Sequence, residues 1–265
     1  VVATFTNNID YGSLKITKKV TVNGEATTTT LADGTYKFTV KDASGNNAKD
    51  MKIKALDLSK WNPTSAIHLN HMFYGCAQLT ELDLSNWNMP NLYTTSHMFA
   101  DCHKLENVSF AGWNTPKLNN MDGLFNHCMS MKTVDMSMFN TSNVTVFAQV
   151  FEICSSLKEI KGLENWNTAK GNDFSEMFSG CSSLTELNLS SFDTTNAYSS
   201  ANTYSGVPNW VFLRFMDSCT GLEKVTFGAN FDFDGKGCPN GYKFYMSAST
   251  KVEGWDGRWY NATTG

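Results

Sequence analysis

The chain has 265 residues, 41% of them hydrophobic and 17% charged, with a formal charge of −4 and a pI near 5.7. That length buries a sizeable core, and the modest charge excludes the composition that keeps a chain disordered. The acidic balance excludes the broad basic surface that nucleic-acid binding needs. The longest apolar stretch, Trp210 to Met216, is broken by Arg214 and falls far short of the roughly 20 apolar residues of a spanning helix, so no membrane insertion is expected within this fragment. The chain opens Val1-Val2-Ala3 without an initiator Met or an apolar leader, so any targeting or anchoring segment is expected outside it.

Residues 1–50 are β-rich. Ser13 to Val20, the Thr27 to Thr30 run and Thr35 to Val40 alternate in character and are bracketed by Gly, Asp and Thr, with Asp33-Gly34 as a turn signal. A small β cap is expected here, covering the open end of the repeats that begin at residue 51.

From residue 51 the sequence repeats. The segments His71-Met72-Phe73-Tyr74-Gly75-Cys76, His97-Met98-Phe99-Ala100-Asp101-Cys102 and Gly123-Leu124-Phe125-Asn126-His127-Cys128 are followed by equivalents ending at Cys154 and Cys181, at intervals of 26, 26, 26 and 27 residues. A sixth copy ends at Cys219, 38 residues on, so 12 extra residues lie between about Thr194 and Val211. Within a unit, Met72, Phe73, Cys76 and Leu79 have the spacing of a buried helical face, and Leu79, Leu82 and Leu84 pass into period two. An aromatic follows each strand segment (Trp87, Trp113, Phe139, Trp166, Phe192), and then Asn or Asp, expected to turn the chain at a corner. One unit cannot bury its apolar face alone, so neighbours must stack. These patterns predict an α/β solenoid: a leucine-rich-repeat-like, right-handed stack of about seven 26-residue rungs over residues 51–229, closed by a C-terminal cap at 230–265.

In such a stack Cys76, Cys102, Cys128, Cys154, Cys181 and Cys219 form a structural ladder. No Cys-x-x-Cys pair is present, and side chains pointing in parallel suit neither a converging metal site nor the torsion of a disulfide, so these cysteines read as small buried groups. Cys238 lies off the ladder. His71 and His97 occupy equivalent positions and could approach one another, but no third ligand is identifiable, and no metal or cofactor is expected. Asn230 to Gly235 has the acid spacing that opens a calcium loop, yet its twelfth place is Gly241 rather than Glu. No arrangement of nucleophile, base and orienting group stands out, so the chain is expected to be non-enzymatic.

The 12-residue insertion is the candidate binding feature, the alternative being that its rings fold back over the sixth rung. Tyr198, Tyr204 and Trp210 lie among Ser, Thr, Asn, Ala and Gly, a composition in which rigid rings supply contact area and small residues adapt. The outward strand positions, Glu81, Asp83, Ser109 and Asp135 among them, read as an ordinary solvated face.

The recurring phrase Met-Phe-x-x-Cys-x-x-Leu-x-x-Leu-x-Leu-Ser-x-Trp/Phe-Asn/Asp over residues 51–229 resembles the BspA-like leucine-rich-repeat surface proteins of bacteria. The N-terminal stretch is similar to part of a pilin-type collagen-adhesin B module, although Phe5-Thr6-Asn7 precedes Lys18, the reverse of the order in which such modules form an isopeptide bond. Gly254 to Tyr260 resembles a single choline-binding cell-wall repeat. The resemblance implies an extracellular bacterial-surface setting and adhesion to a host extracellular protein or glycan. A structural spacer within a larger surface protein, and cell-wall carbohydrate binding by the tail aromatics, are the alternatives.

Overall fold

In the computed structural model, residues 2–10, 13–22, 25–30, 58, 62–197 and 211–231 are described, the first three segments by their backbone. Strands β1 (Val2–Asp10), β2 (Ser13–Val22) and β3 (Glu25–Thr30) form an antiparallel sheet in that order. The register runs from Val2 opposite Thr21 to Asp10 opposite Ser13, and from Thr17 opposite Thr30 to Val22 opposite Glu25.

The repeats contribute six short strands, β4 (Glu81–Asp83), β5 (Asn107–Ser109), β6 (Thr133–Asp135), β7 (Glu159–Lys161), β8 (Glu186–Leu189) and β9 (Lys224–Phe227). They pair in parallel as β4 with β5, β6 with β7 and β8 with β9. Glu81 faces Asn107 and Thr133 faces Glu159, one repeat apart; Glu186 faces Lys224, 38 residues on, so the pairing passes over the insertion. A second line of parallel bridges joins His68, Thr94, Asn120, Val146 and Asp173.

The expected α/β solenoid of leucine-rich-repeat type is corrected by this structure. Among the described residues there is no α-helix; the only helical element is a 3-10 turn at Leu163–Asn165, and the protein is mostly β, built from short strand pairs and turns. The cause is in the segments read as helical. Each carries two residues in the left-handed region: His71, His97, Gly123, Gln149, Glu176 and Arg214 at one place, and Gly75, Asp101, His127, Ile153, Gly180 and Ser218 four residues later, all with φ between 50° and 75°. A right-handed helix cannot pass through such residues.

The backbone instead alternates its hydrogen bonds. The N–H groups of Leu69, His71, Phe73 and Gly75 donate to Thr94, Ser96, Met98 and Ala100 of the next repeat at 2.8–3.0 Å. Those of Met72, Tyr74 and Cys76 donate three residues back, to Leu69, His71 and Phe73. The result is a run of overlapping β-turns in which every second amide is delivered to the neighbour. The pattern recurs to the last described repeat, where Phe174 donates to Val211 and Gly180 to Asp217. Left-handed non-glycine residues cost about 1 kcal/mol each; the inter-repeat bonds and the core beneath them hold the chain there.

One hydrophobic core runs from Leu58 to Phe231. Its axis is a column of phenylalanines: Phe73, Phe99, Phe125, Phe151 and Phe178 lie ring over ring at 5.3–5.9 Å, within 11° of parallel. The column turns edge-on at Phe215, 79° to Phe178, because Met-Phe becomes Phe-Met in that repeat. A second column, Phe147, Phe174 and Phe212, stacks at 5.2 Å. Such contacts contribute about 0.5–1.5 kcal/mol each beyond the area buried.

A polar column supports the corner after each strand. Thr115, Thr141 and Thr168 are buried, and their hydroxyl oxygens accept the N–H of Asn140, Asn167 and Asp193 in the next repeat at 2.8–2.9 Å. The side-chain oxygen of Asn140 and the Asp193 carboxylate in turn accept the amides two residues on, from Ser142 and Thr195. These Asn and Asp side chains close the corner.

Candidate functional site

The cysteines are part of the core, and they are hydrogen-bond donors as well as small apolar groups. The thiol of Cys102 donates to the carbonyl of Phe73 at 3.0 Å, and Cys128, Cys154, Cys181 and Cys219 do the same to Phe99, Phe125, Phe151 and Phe178 at 3.0–3.2 Å. Each of these carbonyls also accepts an in-turn amide, so the thiol occupies its second lone pair. All six are free thiols; Cys76 is half-buried and the other five are buried. Burial pushes Cys76 up to about 11 and Cys219 up to about 12, and holds Cys102, Cys128, Cys154 and Cys181 well above the ordinary thiol range. A nucleophilic thiol needs the opposite environment.

The insertion's Tyr198, Tyr204 and Trp210 lie outside the described residues, as do Cys238, Asp232 to Gly235 of the acidic turn, and the tail aromatics. The structure does fix the insertion's roots. Ala197 is buried on one side, and on the other Val211 accepts the Phe174 amide at 2.8 Å. The ladder therefore continues across the extra residues.

A polar ribbon that the sequence did not reveal runs along the turn segments of successive repeats. His71 and His97 stack at 5.3 Å and 7° from parallel, so their ring faces, not their nitrogens, meet. The ring of His97 lies over Gly123, where a Cβ would come within 2.7 Å of it. His97 Nδ1 is 3.0 Å from Ser96 Oγ and 3.6 Å from the Asp122 carboxylate. Burial raises the Asp122 pKa, opposed by His97 and assisted by Asp173.

Asp101 is the centre of a second group. Its Oδ1 lies 3.6 Å from His103 Nε2 and 3.7 Å from His127 Nδ1, and its nearby carboxylate raises the pKa of Tyr74. Asn126 bridges His127 and Glu152. Glu152 titrates above the ordinary carboxylate range because it is partly buried and Glu176 stands near it. Glu176 accepts from Gln149 at 2.7 Å and pairs with Arg214 at 3.6 Å; Arg214 also reaches Asp217 at 3.3 Å.

Periodicity identified His71 and His97 as equivalent, but His103 and His127 fall in different columns. Asp101, whose backbone is left-handed at φ 61°, lies within 3.7 Å of both. Among the described residues no group of three or more His, Cys, Asp and Glu side chains is placed to hold a metal ion, and no helix is long and apolar enough to cross a membrane.

The outward strand positions carry dispersed charge, with exposed pairs such as Lys132 to Glu106 at 2.7 Å and Lys224 to Glu186 at 3.4 Å. Exposed pairs of this kind contribute little. Two tyrosines of the first repeats, Tyr74 and Tyr93, are exposed.

No curated protein and no solved structure matches this chain. The profile of a family described as "Mycoplasma protein of unknown function, DUF285" matches two overlapping segments, residues 39–133 and 104–210. These segments cover more than half of the sequence, and the chain belongs to the DUF285 family.

Proposed function

We propose that this chain is a non-enzymatic binding module of a bacterial cell surface, with the paired repeats as a rigid frame and its contact groups on the turn edge and the insertion. The observation that carries the reading is the amide ladder: every second N–H of each turn segment is tied to the next repeat, from Leu69 to Gly180, so side chains between those amides are held in fixed relation across five repeats. Preorganised surfaces bind with less ordering entropy lost. Burial of five thiols suits an oxidising, extracellular setting, since inaccessible, neutral thiols resist oxidation.

The test is a screen of the whole chain against immobilised matrix proteins and glycans, run with two variants. Removing residues 199–210 takes out the 12 extra positions and restores a 26-residue interval between Cys181 and Cys219 (38 − 12); with Tyr198→Ala it deletes every candidate ring of the insertion. Loss of binding with an unchanged melting temperature assigns the contact to the insertion, and retention removes the insertion as the contact. A chain that binds nothing in the screen is a spacer, and the proposal falls.

A further inference from the structure

We infer that the turn edge of the first two repeats, around Tyr74, is a contact site for neutral glycan chains. This rests on the binding-module reading above and narrows it to one partner chemistry.

A sugar ring is held by two kinds of group acting together. An exposed aromatic face receives its C–H edge, and fixed acceptors at the rim take its hydroxyls, best of all a carboxylate, whose charge-assisted bonds are the stronger ones. Both are present here. Tyr74 is 50% exposed, yet its ring packs against His71 at 5.4 Å and 53°, and the Asp101 carboxylate stands beside it. His71 is in turn stacked on His97. Three rings are thereby fixed on one edge, next to the carboxylates of Asp101 and Asp122. Tyr93, 47% exposed, is a second exposed ring of these repeats and stands edge-on to His68 at 6.3 Å.

Charge selects within the glycan class. The left-handed turn positions and the residues between them carry no Lys or Arg from His71 through His127 except Lys104 and Lys117, and these point to other partners, Gln78 and Asn91. An edge whose fixed charges are Asp101 and Asp122 repels sulfated and sialylated chains at neutral pH. A protein partner is the poorer fit: hot spots need a central patch that can be fully desolvated, whereas the only large aliphatic side chain exposed beside these rings, among the described residues, is Ile67.

The whole chain is tested on an array of neutral, sialylated and sulfated glycans, with calorimetry against triacetylchitotriose and lacto-N-tetraose. Neutral glycans should be retained and the anionic ones not. At least one of the two oligosaccharides should bind, with Tyr74→Ala weakening it at least tenfold, Asp101→Asn by an intermediate factor, and Tyr74→Phe, which keeps the ring, less than threefold. Unchanged melting of the variants shows that the losses are local, as expected for a half-exposed side chain. The inference is overturned if no neutral glycan binds, if only anionic glycans or proteins bind, or if Tyr74→Ala binds like the unmodified chain. Binding to proteins or anionic glycans alone would leave the binding-module reading standing; no binding to anything would remove both.

Discussion

Cys128 places a thiol between two repeats, with its sulfur 3.2 Å from the Phe99 carbonyl oxygen and no exposure to solvent. Cys128→Ala removes both the donor and the volume of the sulfur and should lower stability by about 1–2 kcal/mol. Cys128→Ser should cost at least as much, because the shorter hydroxyl reaches the carbonyl less well and is more expensive to bury. Urea unfolding checks the order, which a purely steric role for sulfur would reverse. Thr95 is the opposite case. It sits in the core column of Leu69, Met121, Phe147 and Phe174, and its buried hydroxyl has no hydrogen-bond partner. Thr95→Val, nearly isosteric, should raise stability by up to about 1 kcal/mol; a loss would mean that the hydroxyl is satisfied. Gly123 combines φ +59° with the overlying His97 ring. Gly123→Ala should cost about 1–3 kcal/mol, and less in a His97→Ala background. Equal costs in the two backgrounds would place the whole effect in the backbone.

At the scale of elements, the turn segment explains why the repeat spacing misled. Met72, Phe73, Cys76 and Leu79 are all buried or half-buried, as a helical face would have them, yet they are reached through overlapping four-residue β-turns rather than a helix. Periodicity alone does not separate these, since both return a side chain to the same face every three to four residues. The signals that could have done so are Gly75, Gly123 and Gly180, which share the two left-handed columns, but His, Gln, Glu, Asp and Ile occupy the same places elsewhere and mask them. Ile153 at φ +56° is the clearest outlier, since a β-branched residue avoids that region. The strand half was plainer: Leu82, Val134 and Leu187 face inward between exposed neighbours, as the period-two pattern requires. The insertion belongs to this scale too. With Val211 locked to Phe174, removal of residues 199–210 should leave the melting transition within a few degrees of the unmodified chain, and a larger fall would show that those residues support the ladder.

Across the whole molecule, the five buried thiols couple folding to alkaline pH. Each has a folded pKa raised by burial, whereas an unfolded cysteine titrates near 8.5. Below that value both states hold the proton and stability is unaffected. Above it the unfolded state loses protons that the folded state keeps, so stability falls by up to about 1.4 kcal/mol per pH unit for each thiol until the folded pKa is reached. Five such groups acting together should remove most of a typical domain stability of about 5–15 kcal/mol between pH 8.5 and 10.5. Urea midpoints at pH 7, 9 and 10 measure this, and a flat profile would contradict the burial of the ladder. In the native state at pH 8, Cys76 should react with a thiol reagent before the other five.

The sequence by itself determined the unit and its apolar columns, because a core shared between neighbours forces the same residue types to return at one interval: the cysteine spacing, the leucine skeleton and the aromatic corner residues are all legible in it. The tertiary structure alone decided how the chain travels between those points. Whether an amide closes a turn or crosses to the next repeat depends on a backbone angle that most residue types can adopt when the neighbour's carbonyl rewards it, and the gathering of Tyr74, Asp101, His103 and His127 on one edge comes from that choice, not from their spacing.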